Sequence, residues 1–240
     1  MTDPRPRGPV VENWTVPPRP ENIALEGRHV RLEPLDAETH AALLHPAFEG
    51  HDEVWTYMPV GPYASSAQFH RWMREMADSP DHVFVAIYDK DRGAYGGFAS
   101  FLRIAPEAGS IEVGFIAMAP RLQRTIAATE AMYLMMKWAF EAGYRRYEWK
   151  CDALNLPSRR AAQRLGFSYE GIFRQATIVK GRNRDTAWFA AIDAEWPALN
   201  EAFQLWLNPA NFDADGLQQS SLSDLTRLVR VASDPVLPPR

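Results

Sequence analysis

One stretch of the chain reads Asn155-Leu-Pro-Ser158-Arg-Arg-Ala-Ala-Gln-Arg-Leu-Gly-Phe167-Ser-Tyr-Glu170-Gly171, and it constrains the architecture more than any other segment. Asn155 is a preferred helix N-cap and Pro157 suits the first helical position, so a short helix is predicted over residues 157–165. Ser158 would then lie in the first turn of this helix. Taken alone, the pattern favours capping as the use of Asn155 and Ser158, because capping is the default role of these residue types at a helix start.

The segments on either side show strand and helix patterns that mix without regular alternation. Alternating apolar and polar residues predict strands, and apolar residues at spacings of three and four predict helices. The predicted strands cover residues 29–34, 82–88, 94–104, 110–118, 147–151, 167–178 and 185–192, and the predicted helices cover 37–48, 66–77, 125–142, 157–165, 196–207 and 223–231. This order lacks strict strand–helix–strand repeats, so a doubly wound parallel sheet is not expected.

Composition and charge limit the classes of function. Hydrophobic residues make up 46% of the 240 residues and charged residues 23%, as in an ordinary globular protein. The net charge of −4 gives no electrostatic footprint for nucleic acid and no attraction to an anionic membrane. The single cysteine, Cys151, can form neither an internal disulfide nor a zinc cluster, and the histidines lack metal-ligand spacing. We therefore expect a cytoplasmic protein with no metal, no nucleic-acid partner and no membrane partner.

The stretch at 155–171 resembles the GNAT superfamily of acyl-CoA N-acyltransferases. Family members show Asn, then Ser three residues later, an amphipathic turn that ends in Leu-Gly-Phe, and then Glu-Gly, as this chain does. The resemblance covers roughly residues 25–192 and is closest to the branch of ribosomal-protein N-terminal and small-molecule N-acetyltransferases. It implies a mixed α/β (α+β) fold, with a bent, mostly antiparallel sheet of six to seven strands and flanking helices. In this fold the strands at 111–118 and 147–151 run parallel and diverge at one end.

Three parts of the chain are expected. Residues 1–22 carry six prolines and should form an extended arm. Residues 23–193 would be the GNAT acyltransferase domain. Residues 194–240 should be a helical extension that packs on the core or on a partner subunit, because Trp196 and Trp206 are too apolar to stay in water. A homodimer is therefore one expected state.

A second motif precedes the long predicted helix and reads Arg121-Leu-Gln-Arg124-Thr125-Ile126-Ala127-Ala128-Thr129-Glu-Ala. In the family this loop holds the CoA pyrophosphate with backbone N–H groups at a helix start. Here the usual glycine positions fall on Arg124 and Ile126, while Ala128 keeps the final small position. Two interpretations stay open: Arg121 and Arg124 replace the glycines with side-chain charge, or the CoA site is weakened or lost. By resemblance, the residues that bind acetyl-CoA, or another short acyl-CoA, are Ile116, Ala117, Met118, Arg121, Arg124, Thr125, Ile126, Ala127, Ala128, Thr129, Asn155 and Ser158.

Two side chains are candidates for the chemistry. Glu112 could hold an incoming ammonium and accept its proton, and the alternative is a solvated strand face or a surface ion pair. By resemblance, Ser158 is the candidate proton donor to the CoA sulfur, with Tyr147 and Tyr169 as substitutes. Cys151 has no His near it in sequence and is expected to be a buried apolar residue rather than a nucleophile.

Other polar and aromatic segments are expected to be peripheral. The pairs Arg145-Arg146 and Arg159-Arg160 should be solvated, although Arg159 or Arg160 could reach a CoA phosphate. The aromatic loop at 54–63 would form one wall of the acceptor pocket, or else a satellite hydrophobic cluster.

Together these features imply an N-acetyltransferase that moves an acetyl group from acetyl-CoA to a primary amine of a small molecule or of a protein N-terminus. The competing hypothesis is a catalytically weakened GNAT domain that acts as a CoA-binding or protein-interaction module. The altered glycine positions favour the module, and the intact segment at 155–171 favours the enzyme.

Overall fold

A computed structural model describes residues 5–238, which form one eight-stranded sheet flanked by six α-helices. The strands are β1 (Leu25–Glu26), β2 (Val30–Pro34), β3 (His82–Asp89), β4 (Ala94–Ala105), β5 (Ser110–Met118), β6 (Arg146–Asp152), β7 (Ser168–Val179) and β8 (Arg182–Ile192). The helices are α1 (Ala37–Phe48), α2 (Ser66–Ala77), α3 (Ile126–Glu141), α4 (Leu156–Arg164), α5 (Trp196–Leu207) and α6 (Leu222–Arg227). The predicted mixed α/β fold with a mostly antiparallel sheet is confirmed.

The sheet has the order β1-β2-β3-β4-β5-β6-β8-β7, one strand more than the upper limit predicted. The additional strand is β1, whose two residues pair with Leu32 and Arg31 of β2. A two-residue strand is too short to show an alternating pattern, so the sequence gives no signal for it.

β5 and β6 are the one parallel pair in the described sheet. They pair only from Ser110↔Arg146 to Val113↔Trp149, although β5 continues to Met118 and β6 to Asp152. The predicted divergence of these two strands is therefore present, and it leaves a gap near the middle of the sheet.

Two hydrophobic layers cover the faces of the sheet. On one face, the apolar side of α3 packs against inward residues of β2 to β6, including Ile111 and Val113 of β5. On the other face, α1 and α2 cover β3 and β4 through an aromatic cluster that includes Trp55, Phe69 and Phe98. This second layer reaches Phe115 and Ala117 of β5 but includes no residue of β6 to β8.

The proline-rich arm lies against the domain, and residues 1–4 of it are outside the described range. The Tyr144 hydroxyl donates to the Pro18 carbonyl over 3.0 Å. The Arg19 guanidinium donates to the carbonyls of Ile104 and Pro80, each over 3.2 Å. Proline-rich segments lack backbone donors, so the domain supplies the donors that hold the arm.

The C-terminal segment packs on the same core as α3. Leu199 and Phe203 of α5 and Leu222 of α6 are fully buried there, and Trp206 is nearly so. None of the described helices is both long and apolar enough to cross a membrane.

Candidate active site

The gap between β5 and β6 begins at a β-bulge in β5. The register of the β4–β5 ladder shifts between Phe98 and Ser100, so two residues of β5, Phe115 and Ile116, lie opposite one residue of β4. Phe115 has a φ of +47°, a left-handed conformation that costs a non-glycine residue about 1 kcal/mol. A bulge bends its strand. Residues 114–118 have no ladder partner on β6, so their backbone groups on that edge are available to a ligand.

The loop before α3 keeps a glycine-type backbone although it contains no glycine. Arg124, at one of the usual glycine positions, has a φ of +61°. Thr125 is the N-cap of α3, and its Oγ1 accepts from the Ala128 N–H over 3.0 Å. The N–H groups of Ile126 and Ala127 belong to the first helical turn and have no acceptor one turn earlier. Such a helix start presents free donors and a positive dipole end, which together suit a phosphate.

The two arginines of this loop have different surroundings. The Arg121 guanidinium donates to the backbone carbonyl of Tyr95 at the start of β4, so it is already engaged. The Arg124 side chain is exposed and makes no ion pair with any residue between 5 and 238. Of the two charges that could replace the glycines, only that of Arg124 is therefore uncommitted.

The other residues predicted to bind the donor lie along β5 and the first turns of α3. Ala117, Ala127 and Ala128 are buried, so only their backbone groups could meet a ligand. The Thr129 hydroxyl is also buried, and it accepts from Arg164 Nη1 over 3.0 Å. Ile116 and Met118 are half-buried at the gap. Thr129 thus supports the helix start from behind.

Glu130, the residue after Thr129, is a buried carboxylate whose role the sequence pattern does not indicate. Glu130 accepts from the backbone N–H groups of Arg28, His29 and Val30, over 2.9, 2.6 and 3.0 Å. These donors belong to the β1–β2 turn, about 100 residues earlier in the chain. Glu130 therefore joins the start of α3 to the first hairpin rather than to a ligand.

Ser158 lies in the first turn of α4 beside the gap. Asn155 is the N-cap of α4, and its Oδ1 accepts from the Ser158 N–H over 3.1 Å. The Ser158 Oγ accepts from the indole Nε1 of Trp149 in β6 over 3.0 Å. One lone pair of the hydroxyl is thereby occupied, and its hydrogen can be donated elsewhere; the Cys151 thiol is also within hydrogen-bonding range of Ser158.

Tyr147, one of the two substitutes considered for Ser158, is placed less well. Tyr147 is 1% exposed, its hydroxyl has no partner among the described residues, and burial raises the pKa of that phenol well above 10. Its ring packs against Phe101, Phe140 and Phe167 on the α3 side of the sheet. Tyr147 therefore cannot reach a ligand in the gap.

Cys151 is a core residue. Burial is the main cause that raises the pKa of its thiol to about 11, so the reactive thiolate is scarce at neutral pH. Because no activating base accompanies this burial, the thiol is a poor candidate for a nucleophile.

Glu112 lies in a buried ion cluster on the other face of the sheet. Its side chain is 3% exposed, and it contacts Arg103 Nη1 over 2.7 Å and Lys150 Nζ over 2.8 Å. Burial raises the pKa of Glu112 above its usual value, and this effect exceeds the opposing effect of Lys150 and Arg103. The solvated strand face considered from sequence is therefore wrong.

The cluster continues across the sheet toward β7. Lys150 Nζ also contacts Glu148 Oε2 over 2.7 Å and lies 3.8 Å from the centre of the Trp188 ring. Arg146 contacts Glu148 over 2.6 Å and pairs with both carboxylate oxygens of Glu170. The expectation of a solvated Arg146 is thus wrong, because the register of β6 places it between two carboxylates.

The aromatic loop forms a bridge on the same face of the sheet as this ion cluster. Tyr57 donates from its hydroxyl to the Leu154 carbonyl over 3.3 Å, just before α4. Lys180, in the β7–β8 hairpin, donates from Nζ to the Trp55 carbonyl over 2.7 Å. The loop therefore contacts both the β6–α4 turn and the hairpin, and Trp55 anchors it in the cluster under α1 and α2.

Arg159 is buried, contrary to the expectation that it is solvated or reaches a CoA phosphate. Its guanidinium makes two hydrogen bonds of 2.6 Å to the carboxylate of Asp234 near the C-terminus. The two residues are 75 positions apart, so no local pattern indicates the pair.

β6 contacts both candidate catalytic residues, one on each face of the sheet. Trp149 and Lys150 are consecutive in this strand, so their side chains point to opposite faces of the sheet. Trp149 contacts Ser158 on one face, and Lys150 contacts Glu112 on the other. Val113↔Trp149 is also the last parallel pair before the gap. The Ser158 hydroxyl and the Glu112 carboxylate therefore flank the point where β5 and β6 separate.

Within residues 5–238 there is no group of three or more His, Cys, Asp or Glu side chains that could hold a metal.

A family model described as "Acetyltransferase (GNAT) domain" matches residues 29–168.

Three individual proteins show the same similarity. "Putative ribosomal N-acetyltransferase YdaF" of Bacillus subtilis is 26% identical over 172 residues, which cover 69% of this chain and 90% of that protein. The solved structure of a GCN5-related N-acetyltransferase from Brucella melitensis is 47% identical, with a TM-score of 0.88 over 90% of this chain and 100% of that one. A probable GNAT-family acetyltransferase from Chromobacterium violaceum is 39% identical, with a TM-score of 0.77 over 82% of this chain and 100% of that one.

Proposed function

The chain belongs to the GNAT family of acetyltransferases, and on that premise we propose that it acetylates the primary amine of a small molecule or of a protein N-terminus, with acetyl-CoA as donor. The observation that carries the proposal is the pair of contacts made by β6, Trp149 to Ser158 and Lys150 to Glu112. These contacts support a proton donor on one face of the sheet beside the gap and a proton acceptor on the other face.

The residues around the gap fit the donor. Acetyl-CoA supplies a thioester, whose acyl carbon accepts the amine. The free edge of β5 at 114–118 offers backbone groups to an extended amide-containing arm, and the first turn of α3 offers N–H groups to a pyrophosphate. Arg124 adds a charge near solvent. The left-handed φ of Arg124 supports the interpretation that the loop still functions without glycine.

Ser158 is proposed as the proton donor to the leaving sulfur. Its Oγ accepts from Trp149, so the hydroxyl can still donate its hydrogen, which would turn from the Cys151 thiol to the leaving sulfur, and its N–H is held by Asn155. Both contacts fix the hydroxyl before the donor arrives, and fixed groups contribute most to a transition state.

Glu112 is proposed as the group that deprotonates the acceptor ammonium, directly or through water. A raised pKa makes a carboxylate a stronger base than one in solvent, and burial supplies that shift here. Lys150 and Arg103 keep the carboxylate ionised and in place.

For the acceptor, the proposal includes a protein N-terminus because the Bacillus subtilis relative is named as a ribosomal N-acetyltransferase. The aromatic loop and the β7–β8 hairpin border the face of the sheet that carries Glu112, and they would form the walls of the acceptor site. A thiol-release screen with acetyl-CoA, pooled small amines and peptides with free N-termini tests both acceptor classes. Peptides with blocked N-termini are the control.

A second candidate function is a weakened module that binds CoA without turnover. The specific observation in its favour is that two cations already neutralise Glu112. Binding of acetyl-CoA by calorimetry, without thiol release in the presence of any amine, would support the module over the enzyme.

A further inference from the structure

The last residues of the described chain form a strap over α4. In the segment 230–237, the Asp234 N–H donates to Gln163 Oε1 over 2.8 Å, and the Val231 N–H donates to Ser168 Oγ over 3.0 Å. The Ala232 carbonyl accepts from the Tyr169 N–H over 3.3 Å. The strap therefore joins the C-terminal end of α4 to the start of β7.

The strongest contact of the strap is the ion pair between Arg159 and Asp234. Arg159 Nε and Nη2 each lie 2.6 Å from a carboxylate oxygen, and the two side chains are 3% and 0% exposed. A bidentate pair of this kind fixes the orientation of both planes as well as their separation. Val236 also donates its N–H to Asp234 Oδ1 over 3.0 Å, so the carboxylate is itself held in place.

The third arm of the same guanidinium reaches the turn before α4. Arg159 Nη1 donates to the Ala153 carbonyl over 2.7 Å. Ala153 precedes Asn155, the residue that caps α4 and holds the Ser158 N–H. One guanidinium thus connects the C-terminal strap to both ends of the 153–159 turn that carries Ser158.

We propose that Asp234 is a positioning residue for the transfer reaction: through Arg159 it fixes the 153–159 turn, so that Ser158 stays at hydrogen-bond distance from Trp149. This inference rests on the proposed role of Ser158. The strap lies beyond residues 29–168, the part of the chain that the GNAT family model matches, so it adds to the family domain an element from the C-terminal extension.

A purely stabilising role predicts a different set of results, and a double substitution separates the two. Asp234→Leu alone leaves a buried, unpaired guanidinium and should unfold the strap. Arg159→Met with Asp234→Leu replaces the pair by apolar side chains of similar size, a change that is often neutral for stability. The double variant also removes the contact to Ala153, so it keeps the packing and loses the positioning.

The experiment compares wild type, Asp234→Asn and the double variant in three measurements. These are the thermal unfolding midpoint, kcat and KM for acetyl-CoA, and the indole N–H resonance of Trp149. That resonance is identified among the eight tryptophans by its loss in Trp149→Phe. Asp215→Asn, an exposed aspartate of the same C-terminal segment, is the matched control.

The inference predicts that the double variant unfolds within a few degrees of wild type, with kcat lower by about tenfold or more, because a misplaced catalytic group is costly. KM for acetyl-CoA should change by less than about threefold, since the interaction acts mainly in the transition state. The Trp149 resonance should shift in both Asp234 variants and stay fixed in Asp215→Asn.

A folded double variant with wild-type kcat and an unmoved Trp149 resonance overturns the inference. If wild type shows no turnover with any amine, the proposed function fails instead, and the resonance alone still tests the strap. Should the double variant not fold, Asp234→Asn still decides, because its amide keeps the shape but loses one of the two hydrogen bonds from Arg159. A folded Asp234→Asn with wild-type kcat and an unmoved Trp149 resonance then overturns the inference.

Discussion

The indole Nε1 of Trp149 donates to the Oγ of Ser158 over 3.0 Å, from one strand of the parallel pair to the first turn of α4. This bond determines which way the serine hydroxyl can donate. We expect Ser158→Ala to lower kcat about 100-fold, the usual range for loss of a general acid, with little change in KM for acetyl-CoA. Steady-state kinetics of thiol release provides the measurement, and calorimetry of acetyl-CoA binding provides the control. Equal losses in binding and turnover would contradict the assignment.

Trp149→Phe tests the same bond from its donor side. Phenylalanine keeps an aromatic ring against Phe167 and removes the N–H, so the variant should remain folded and lose part of kcat. The Ser158→Ala and Trp149→Phe losses should not add, because residues that act through one bond are coupled. Additive losses in the double variant would show that the two side chains act independently.

The pH dependence of turnover tests Glu112. Its pKa is raised by burial, so the ionised, proton-accepting form is lost as pH falls through a value above 4.5. The acid limb of kcat/KM for the acceptor should therefore lie above that pH, and Glu112→Gln should remove the limb and lower the plateau. If Glu112→Gln keeps an acid limb at the same pH as wild type, the limb belongs to the titration of another group.

Two substitutions at Arg124 separate the effect of its side-chain charge from the effect of its backbone conformation. Arg124→Ala should weaken CoA binding by about 1–3 kcal/mol, the range for losing a hydrogen bond to a charged group. Arg124→Gly should weaken binding similarly but raise the free energy of unfolding by about 1 kcal/mol relative to Arg124→Ala, because glycine adopts a positive φ without strain. Calorimetric titrations at two salt concentrations and urea unfolding measure the two effects.

Arg121→Ala is the matched control for Arg124, since the Arg121 guanidinium is engaged by the Tyr95 carbonyl. Its effect on CoA affinity should be small and independent of salt. A salt-dependent loss as large as that of Arg124→Ala would show that both charges reach the phosphates.

Glu130 tests the structural support behind the loop. Glu130→Gln leaves one carbonyl oxygen for three backbone donors, and the amide nitrogen faces donors instead of acceptors. We expect a loss of about 2–3 kcal/mol in the free energy of unfolding, measured by urea denaturation, because hydrogen bonds to a buried charged group are broken. Unchanged stability would mean that water replaces the carboxylate as the acceptor for these backbone N–H groups.

Local sequence patterns predict the helices well where the sequence contains an N-cap residue at the helix start. α1 and α2 begin and end at the predicted residues, because Asp36 and Ser65 each cap the third following N–H. The parallel pair and its divergence followed from the family resemblance.

The candidate site was predictable in part. Ser158 and Glu112 came from the resemblance, but their partners depend on long-range geometry. Lys150 reaches Glu112 only through the β5–β6 register, and Asp234 reaches Arg159 across 75 residues. The residues adjacent in sequence do not distinguish a paired charge from a solvated one. The sequence therefore predicts Arg146 and Arg159 to be solvated, whereas both are paired with carboxylates.

The most direct test of the central claim is amine-dependent thiol release from acetyl-CoA by the wild-type protein, measured beside Ser158→Ala at equal acetyl-CoA occupancy. The account predicts release that requires a free primary amine and that falls about 100-fold in the variant while calorimetric binding of acetyl-CoA is retained. Wild-type protein that binds no acetyl-CoA at millimolar concentration, or that binds it and releases no thiol with any amine or peptide, would contradict the account.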